Sequence, residues 1–219
     1  MKVGIVGADG RKWSPASEEL VKERIILILS MAQKLKSDFL SVVDIYSQIP
    51  WVKPMVDTIG YEPLVVISGH CPVGTEKYWC PKHLRFEVTV CNPNGTISYT
   101  RVYDQGGVDS LVEIIADELG IKKEIYPAEV HQWSSRWTGS SMLKGFLSRN
   151  IQIAEASDVL YVLSPECNVA NVKSCSVCLP LNTYGKLKRG ATLGHVYNGG
   201  LWTAQEAEDR DKKVVRISI

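Results

Sequence analysis

The chain has 219 residues, enough for one well-buried domain with room for insertions. Its charges nearly cancel, 25 Lys and Arg against 24 Asp and Glu, so no global field draws it to nucleic acid or to an anionic membrane. No apolar run reaches the ~20 residues of a membrane span. The longest is Ile25 to Leu29, bounded by Arg24 and Ser30. The opening residues Met1 to Gly7 have neither the long apolar core nor the cleavage site of a signal peptide, which predicts a cytoplasmic protein. In that setting the six cysteines are expected to stay reduced, pack in the core or bind metal rather than form a secreted disulfide framework.

Lys2 to Val6 predicts a short strand, and Gly7-Ala8-Asp9-Gly10-Arg11 a turn. Ser14-Pro15 predicts the start of a helix, with Glu18 and Glu19 in its first turn. Val21, Ile25, Ile28, Ala32 and Leu35 then recur at helical spacing as one buried face. Strand, glycine turn and helix open a Rossmann-like unit. However, Gly7-x-x-Gly10 lacks the Gly-x-Gly-x-x-Gly spacing, so no NAD site is expected. Across 37–62, Asp38 to Ile49 suggests a helix. Pro50, Pro54 and Gly60 interrupt the pattern, which predicts short helices covering the sheet.

Leu64 to Ile67 reads as a buried parallel strand, running into the small-residue loop Ser68-Gly69-His70-Cys71. Leu84 to Val90 and Ile97 to Tyr103 alternate around Asn92-Pro93-Asn94-Gly95, predicting a β-hairpin. Gly106-Gly107 precedes the clearest helix. Its apolar face is Val108, Leu111, Val112, Ile115, Ala116 and Leu119, and Gly120 ends it. Lys123 to Pro127 predicts a third strand. A helix with Leu143, Phe146, Leu147, Ile151 and Ala154 on its apolar face follows, carrying Arg149-Asn150. Asp158 to Ser164 predicts the fourth strand and Lys213 to Ile217 the last. The alternation of strands and helices predicts an α/β fold: a Rossmann-like, doubly wound, mainly parallel sheet with helices on both faces.

Before the last strand stands Gly199-Gly200-Leu201-Trp202-Thr203-Ala204-Gln205-Glu206. A glycine turn with Thr203 as N-cap would feed a helix beginning at Ala204. Backbone N–H groups and the helix dipole would then face an anion, as in a phosphate seat. This stretch resembles the Pro-Gly-Gly-x-Gly-Thr-x-x-Glu signature of the LOG and lysine-decarboxylase-like proteins of the SLOG superfamily, a group that also includes DprA-like Rossmann proteins. Gly199, Gly200, Thr203 and Glu206 match, while Asn198 stands for the proline and Trp202 for the third glycine. Three further landmarks follow the same order: the Gly7 turn, Ser68-Gly69 with Gly106-Gly107-Val108-Asp109, and Arg149-Asn150 before the Asp158 strand. The resemblance implies one Rossmann-like domain over 1–219 with insertions at about 72–105, the hairpin, and 165–198, a Cys-containing loop.

The resemblance further implies a nucleotide or nucleotide-sugar ligand. Gly7, Ser68, Gly69, Gly106, Gly107, Asp109, Arg149, Asn150, Gly199, Gly200 and Thr203 would surround it. Guanidinium suits phosphate because it offers a charged, bidentate fork, although a helical arginine is more often a solvated surface group. In LOG-type phosphoribohydrolases the residues matching Glu206 and Arg149 take part in cleaving the N-glycosidic bond of a nucleoside 5′-monophosphate, which makes that hydrolase the enzymatic alternative. Trp202 in place of glycine argues for binding over turnover. Relatives commonly dimerise, which implies a homodimer here. Separately, Cys80-x-x-His83 and Cys175-x-x-Cys178 have zinc-knuckle spacing. They predict a structural zinc joining the two insertions, against free thiols or a disulfide. A zinc-stapled interaction protein without enzymatic activity is the third reading.

Overall fold

The computed structural model describes residues 1–7, 15–37, 48–58, 62–69, 76–80, 85–91, 97–101, 107–128, 145–164 and 199–219. In chain order the elements are β1 (Lys2–Gly7), α1 (Pro15–Ser37), α2 (Lys53–Val56), β2 (Val65–Ser68), β3 (Glu76–Cys80), β4 (Arg85–Cys91) and β5 (Ile97–Arg101). They continue with α3 (Val108–Glu118), β6 (Lys122–Ile125), α4 (Phe146–Ala156), β7 (Val159–Ser164), α5 (Gly199–Glu208) and β8 (Lys213–Ser218).

Five strands form one all-parallel sheet in the order β6-β2-β1-β7-β8, giving the α/β, Rossmann-like architecture that the alternation predicts. The chain steps outward from β1 to β2 to β6, then crosses back to β7 and β8. The direction of winding therefore reverses between β1 and β7, the place where such sheets open a crevice at their carboxyl ends.

Side chains alternate between two cores, as strand geometry requires. Val3, Ile5, Tyr161 and Leu163 face α1, α2 and α3. Val6, Ile67, Leu160 and Val162 face α4 and α5. Every residue of β7 is buried, as expected of a central parallel strand covered on both sides.

The α1 face predicted from periodicity is the one that packs: Val21, Ile25, Ile28, Ala32 and Leu35 are fully buried. Pro15 is the first helical residue, where its missing N–H costs nothing. Pro54, expected only as an interruption, sits in the first turn of α2 for the same reason. Val52 and Met55 of this segment enter the core, and the Tyr161 hydroxyl donates to the Trp51 carbonyl at 2.7 Å. The helix suggested for Asp38 to Ile49 lies almost wholly outside the described residues.

The structure extends one local expectation and corrects two. First, the predicted hairpin is present as β4 and β5, and β3 joins it in a three-stranded antiparallel sheet with β4 in the centre. In β3 the adjacent Tyr78 and Trp79 break the period-2 pattern, so the strand gives no alternation signal. Second, α4 buries Ser148, Asn150 and Ile153 beside the predicted Ala154, while Phe146, Leu147 and Ile151 of the predicted stripe are half-buried and Leu143 lies outside the described residues. Against α5 it packs Ile153 and Ala154 with Leu201, Ala204 and Ala207, and Asn150 adds a polar contact to the Gly199 carbonyl that hydropathy does not pick out. Third, α5 already begins at Gly199, so Thr203 lies in its second turn and is not the N-cap. The Thr203 hydroxyl donates back to the Gly199 carbonyl at 2.8 Å, the usual alternative for a threonine inside a helix.

Candidate functional site

At the carboxyl end of β2, Ser68 is fully buried. Its hydroxyl donates to the Glu113 carboxylate at 2.9 Å and lies 3.3 Å from the Asp109 carbonyl. Ser68 thus ties β2 to the start of α3. Gly107 caps α3 in extended conformation without a side-chain bond, so Asp109 falls in the first turn, where the helix dipole favours a carboxylate. Gly106 lies outside the described residues.

The Asp109 carboxylate meets the Arg149 guanidinium of α4 at 3.4 Å, and each side chain is only 12% exposed. Arg149 is therefore not a solvated surface group. Its Nη1 donates to the Gly69 carbonyl at 3.2 Å, while Nε and Nη2 donate to Asn150 Oδ1 at 3.1 and 3.0 Å. Its Cζ stands 5.2 Å from the centre of the Phe146 ring, within range of a cation–π contact.

Asn150, 1% exposed, turns its amide toward the Gly199 carbonyl at 3.4 Å. Gly69 is glycine for a local reason: a Cβ there would lie 2.9 Å from Arg149 Cζ, from Asp109 Oδ2 and from Ile153 Cδ1. Five of the predicted ligand residues thus come together from four separate segments: Gly69, Asp109, Arg149, Asn150 and Gly199.

The remaining site residues divide. Gly7 ends β1, where a Cβ would lie 2.4 Å from the Leu163 carbonyl oxygen and 2.5 Å from Val108 Cγ2, so strand and helix packing already require glycine. At Gly199 the nearest atom to an added Cβ among the described residues is 3.6 Å away, so packing among them makes no such claim on it. Gly199 and Gly200 occupy the first turn of α5, whose N–H groups have no intrahelical acceptor.

Glu206 sits seven residues past Gly199, ~10 Å along the helix axis. It is 4% exposed, and its carboxylate accepts from Arg210 Nη1 at 2.6 Å. The Arg210 guanidinium is held above its ordinary range, first by that bond to Glu206. Glu206 and Arg149 are thus drawn to different partners. Trp202 is 7% exposed and presents little free surface for stacking on a base.

Of the predicted metal residues, Cys80 ends β3, while His83, Cys175 and Cys178 lie outside the described residues. Among the described residues no three His, Cys, Asp or Glu side chains gather to hold a metal ion. Nor is any helix among them long and apolar enough to cross a membrane.

Sequence reasoning passed over Glu113, Phe146 and Arg210. Of these only Arg210 had a legible signal, its i,i+4 spacing from Glu206.

Beside Ser68 the backbone N–H of Tyr126 donates to the Ser68 carbonyl at 2.9 Å, and the Tyr126 hydroxyl donates to Glu124. Lys2 Nζ reaches the other Glu124 oxygen at 2.8 Å. The bonds from Lys2 and then Tyr126 hold the Glu124 carboxyl below its ordinary range. Burial, and secondly Glu124, pushes the Tyr126 phenol from 10.0 up to about 12. A phenol whose pKa is raised by folding stabilises the fold fully below its unfolded value and loses that contribution as pH rises through the folded one. The window for Tyr126 therefore runs from pH 10.0 to about 12. The difference in phenolate absorbance between wild type and Tyr126→Phe should stay flat through pH 10 and rise only near 12. A rise centred at 10 would contradict the half-buried Tyr126–Glu124 pair.

A cavity of about 330 Å³ lies at the opposite, amino-terminal edge of the sheet, lined by Thr58, Asp158, Asp211, Lys212 and Lys213. Asp158 is already committed there, its carboxylate accepting from the Lys2 backbone N–H at 2.7 Å. Comparison with known family signatures, curated proteins and solved structures finds no match to this chain.

Proposed function

We propose that this chain binds a nucleotide or nucleotide sugar across the carboxyl edge of the parallel sheet, with a phosphate on the first turn of α5 at Gly199-Gly200. The observation that carries this reading is the convergence of Gly69, Asp109, Arg149, Asn150 and Gly199 beside the point where the winding reverses. N–H groups without an intrahelical acceptor at a helix start, and a guanidinium held nearby, suit an anion. The ligand class rests on the resemblance to SLOG proteins, and the convergence of these residues supports the carboxyl edge as its place. Asp109 and Asn150 act as positioning residues, holding the Arg149 fork against the Gly69 carbonyl.

Binding without turnover is favoured over N-glycoside hydrolysis. In LOG-type enzymes the matching glutamate and arginine act on one bond, whereas here Glu206 is buried and neutralised by Arg210. A thermal-shift screen of the full chain against nucleoside monophosphates, ADP-ribose, NAD and cyclic nucleotides tests the proposal. A ligand at a hundredfold excess over Kd should add about 2.7 kcal/mol of stability. One class should shift the wild type, with the shift reduced in Arg149→Lys, which keeps the charge and loses the fork. No shift with any of them, in protein free of co-purified ligand, would end the nucleotide reading. Release of free base that is lost in Glu206→Gln would instead establish the hydrolase.

A further inference from the structure

Helix α1 carries a buried acid at its start. Glu18 is 8% exposed and stands in the first turn, at the head of the stripe that runs through Val21, Ile25, Ile28, Ala32 and Leu35 into the core. Its Oε1 lies 3.6 Å from the ammonium of Lys22, a partly exposed neighbour one turn on. Its Oε2 is buried and meets no hydrogen-bond donor among the described residues, where no other buried side-chain oxygen or nitrogen is so left. The helix dipole and Lys22 account for an acid in a first turn, but not for burying an oxygen that no donor answers. Asp109 holds the equivalent place in the first turn of α3, and there the carboxylate meets Arg149.

Helix α1 follows the carboxyl end of β1, and α3 the carboxyl end of β2, so both first turns stand at the carboxyl edge of the sheet. The two helices share one face of the sheet, and α4 and α5 cover the other. The edge is therefore polarised. Carboxylates lie on the α1 and α3 side, while the Arg149 guanidinium and the first-turn N–H groups of α5 come from the opposite side.

We propose that Glu18 recognises the sugar of the bound nucleotide, its Oε2 accepting a hydrogen bond from a ribose hydroxyl. The inference rests on the nucleotide reading above and adds an orientation to it. The phosphate lies on the α5 side, away from the Glu18 and Asp109 carboxylates, and the sugar lies across the end of β1 toward α1. A hydroxyl is the neutral donor that a nucleotide offers next to its phosphate, and a carboxylate accepts from it strongly. The last torsion of a glutamate is broad, so one oxygen turns to the hydroxyl at little cost while the other keeps Lys22. A metal ion is a poorer occupant, because the Lys22 ammonium already stands against the same carboxylate.

Calorimetric titration of the full chain with AMP, GMP, CMP and UMP, and with their 2′-deoxy and 3′-deoxy forms, tests this. The wild type should bind a ribonucleotide at least about tenfold more tightly than one of its deoxy forms. Glu18→Met, similar in shape but apolar, should bind the two alike. Glu18→Gln, a neutral acceptor, should keep a preference of about threefold. Arg149→Lys should weaken both forms equally and leave their ratio unchanged. Without ligand, Glu18→Met should keep or raise Tm, since it removes a buried oxygen that has no donor. Equal binding of ribo and deoxy forms by the wild type, or a preference that survives Glu18→Met, would overturn the inference and leave the nucleotide reading standing. A Tm lowered by more than about 4 °C in Glu18→Met would do the same, by giving the carboxylate to the fold. No binding of any of these nucleotides would end both.

Discussion

Gly7→Ala is expected to cost about 3 kcal/mol of stability and to lower Tm by roughly 6–12 °C. Gly7 is the last residue of β1, in register with Leu163 of β7. An alanine Cβ would lie 2.4 Å from the Leu163 carbonyl oxygen and 2.5 Å from Val108 Cγ2. The first obstacle is backbone of a fully buried strand and cannot swing aside. The second belongs to the first residue of α3, itself 1% exposed. Relief requires β1 and β7 to part at the edge where the site lies, or α3 to lift from the sheet. Gly199→Ala is the matched control: among the described residues its Cβ meets nothing closer than 3.6 Å, and alanine is the better helix former. Urea unfolding should show a large loss for the first and none for the second. Equal behaviour would mean that the close approach at Gly7 is wrong.

Arg149→Ala is the second change with a large expected effect, again about 3 kcal/mol. The mechanism differs. Removing the guanidinium leaves the Asp109 carboxylate, 12% exposed, without its cation, and the Gly69 carbonyl without its Nη1 donor. Asparagine at 109 cannot be left as a buried anion, so Arg149→Ala combined with Asp109→Asn should cost less than the two single changes summed. A coupling of about 1–3 kcal/mol in that cycle is expected. Strict additivity would mean that the pair is a solvated contact with little energy.

The framework was legible because its signals are local. Continuous apolar runs gave β2 and β7, and the helical period gave most of the buried faces of α1 and α3, missing Leu29 and including Leu119, which is only partly buried. Glycines marked the start of α3 and, at Gly120 with φ of 66°, its end. The site was legible only as a set of positions. Nothing in the spacing of Asp109 and Arg149, forty residues apart, says that they meet; the β2-to-β6 crossover carrying α3 and the return from β6 to β7 carrying α4 bring them together. The face of α4 was misread because the buried face includes the polar Ser148 and Asn150, which periodicity does not count, so the stripe was drawn through Phe146, Leu147 and Ile151 in place of Ile153. The start of α5 was misread because Thr203 has the chemistry of an N-cap, yet it spends its hydroxyl on the Gly199 carbonyl one turn back.

Amide NMR of the full chain titrated with 5′-mononucleotides tests the central claim most directly. Binding at the carboxyl edge should move the signals of Gly69, Gly107, Gly199 and Gly200, and leave Thr58, Asp158 and Asp211 at the opposite edge unchanged. Movement confined to those last three residues, or no movement at millimolar nucleotide, would contradict it.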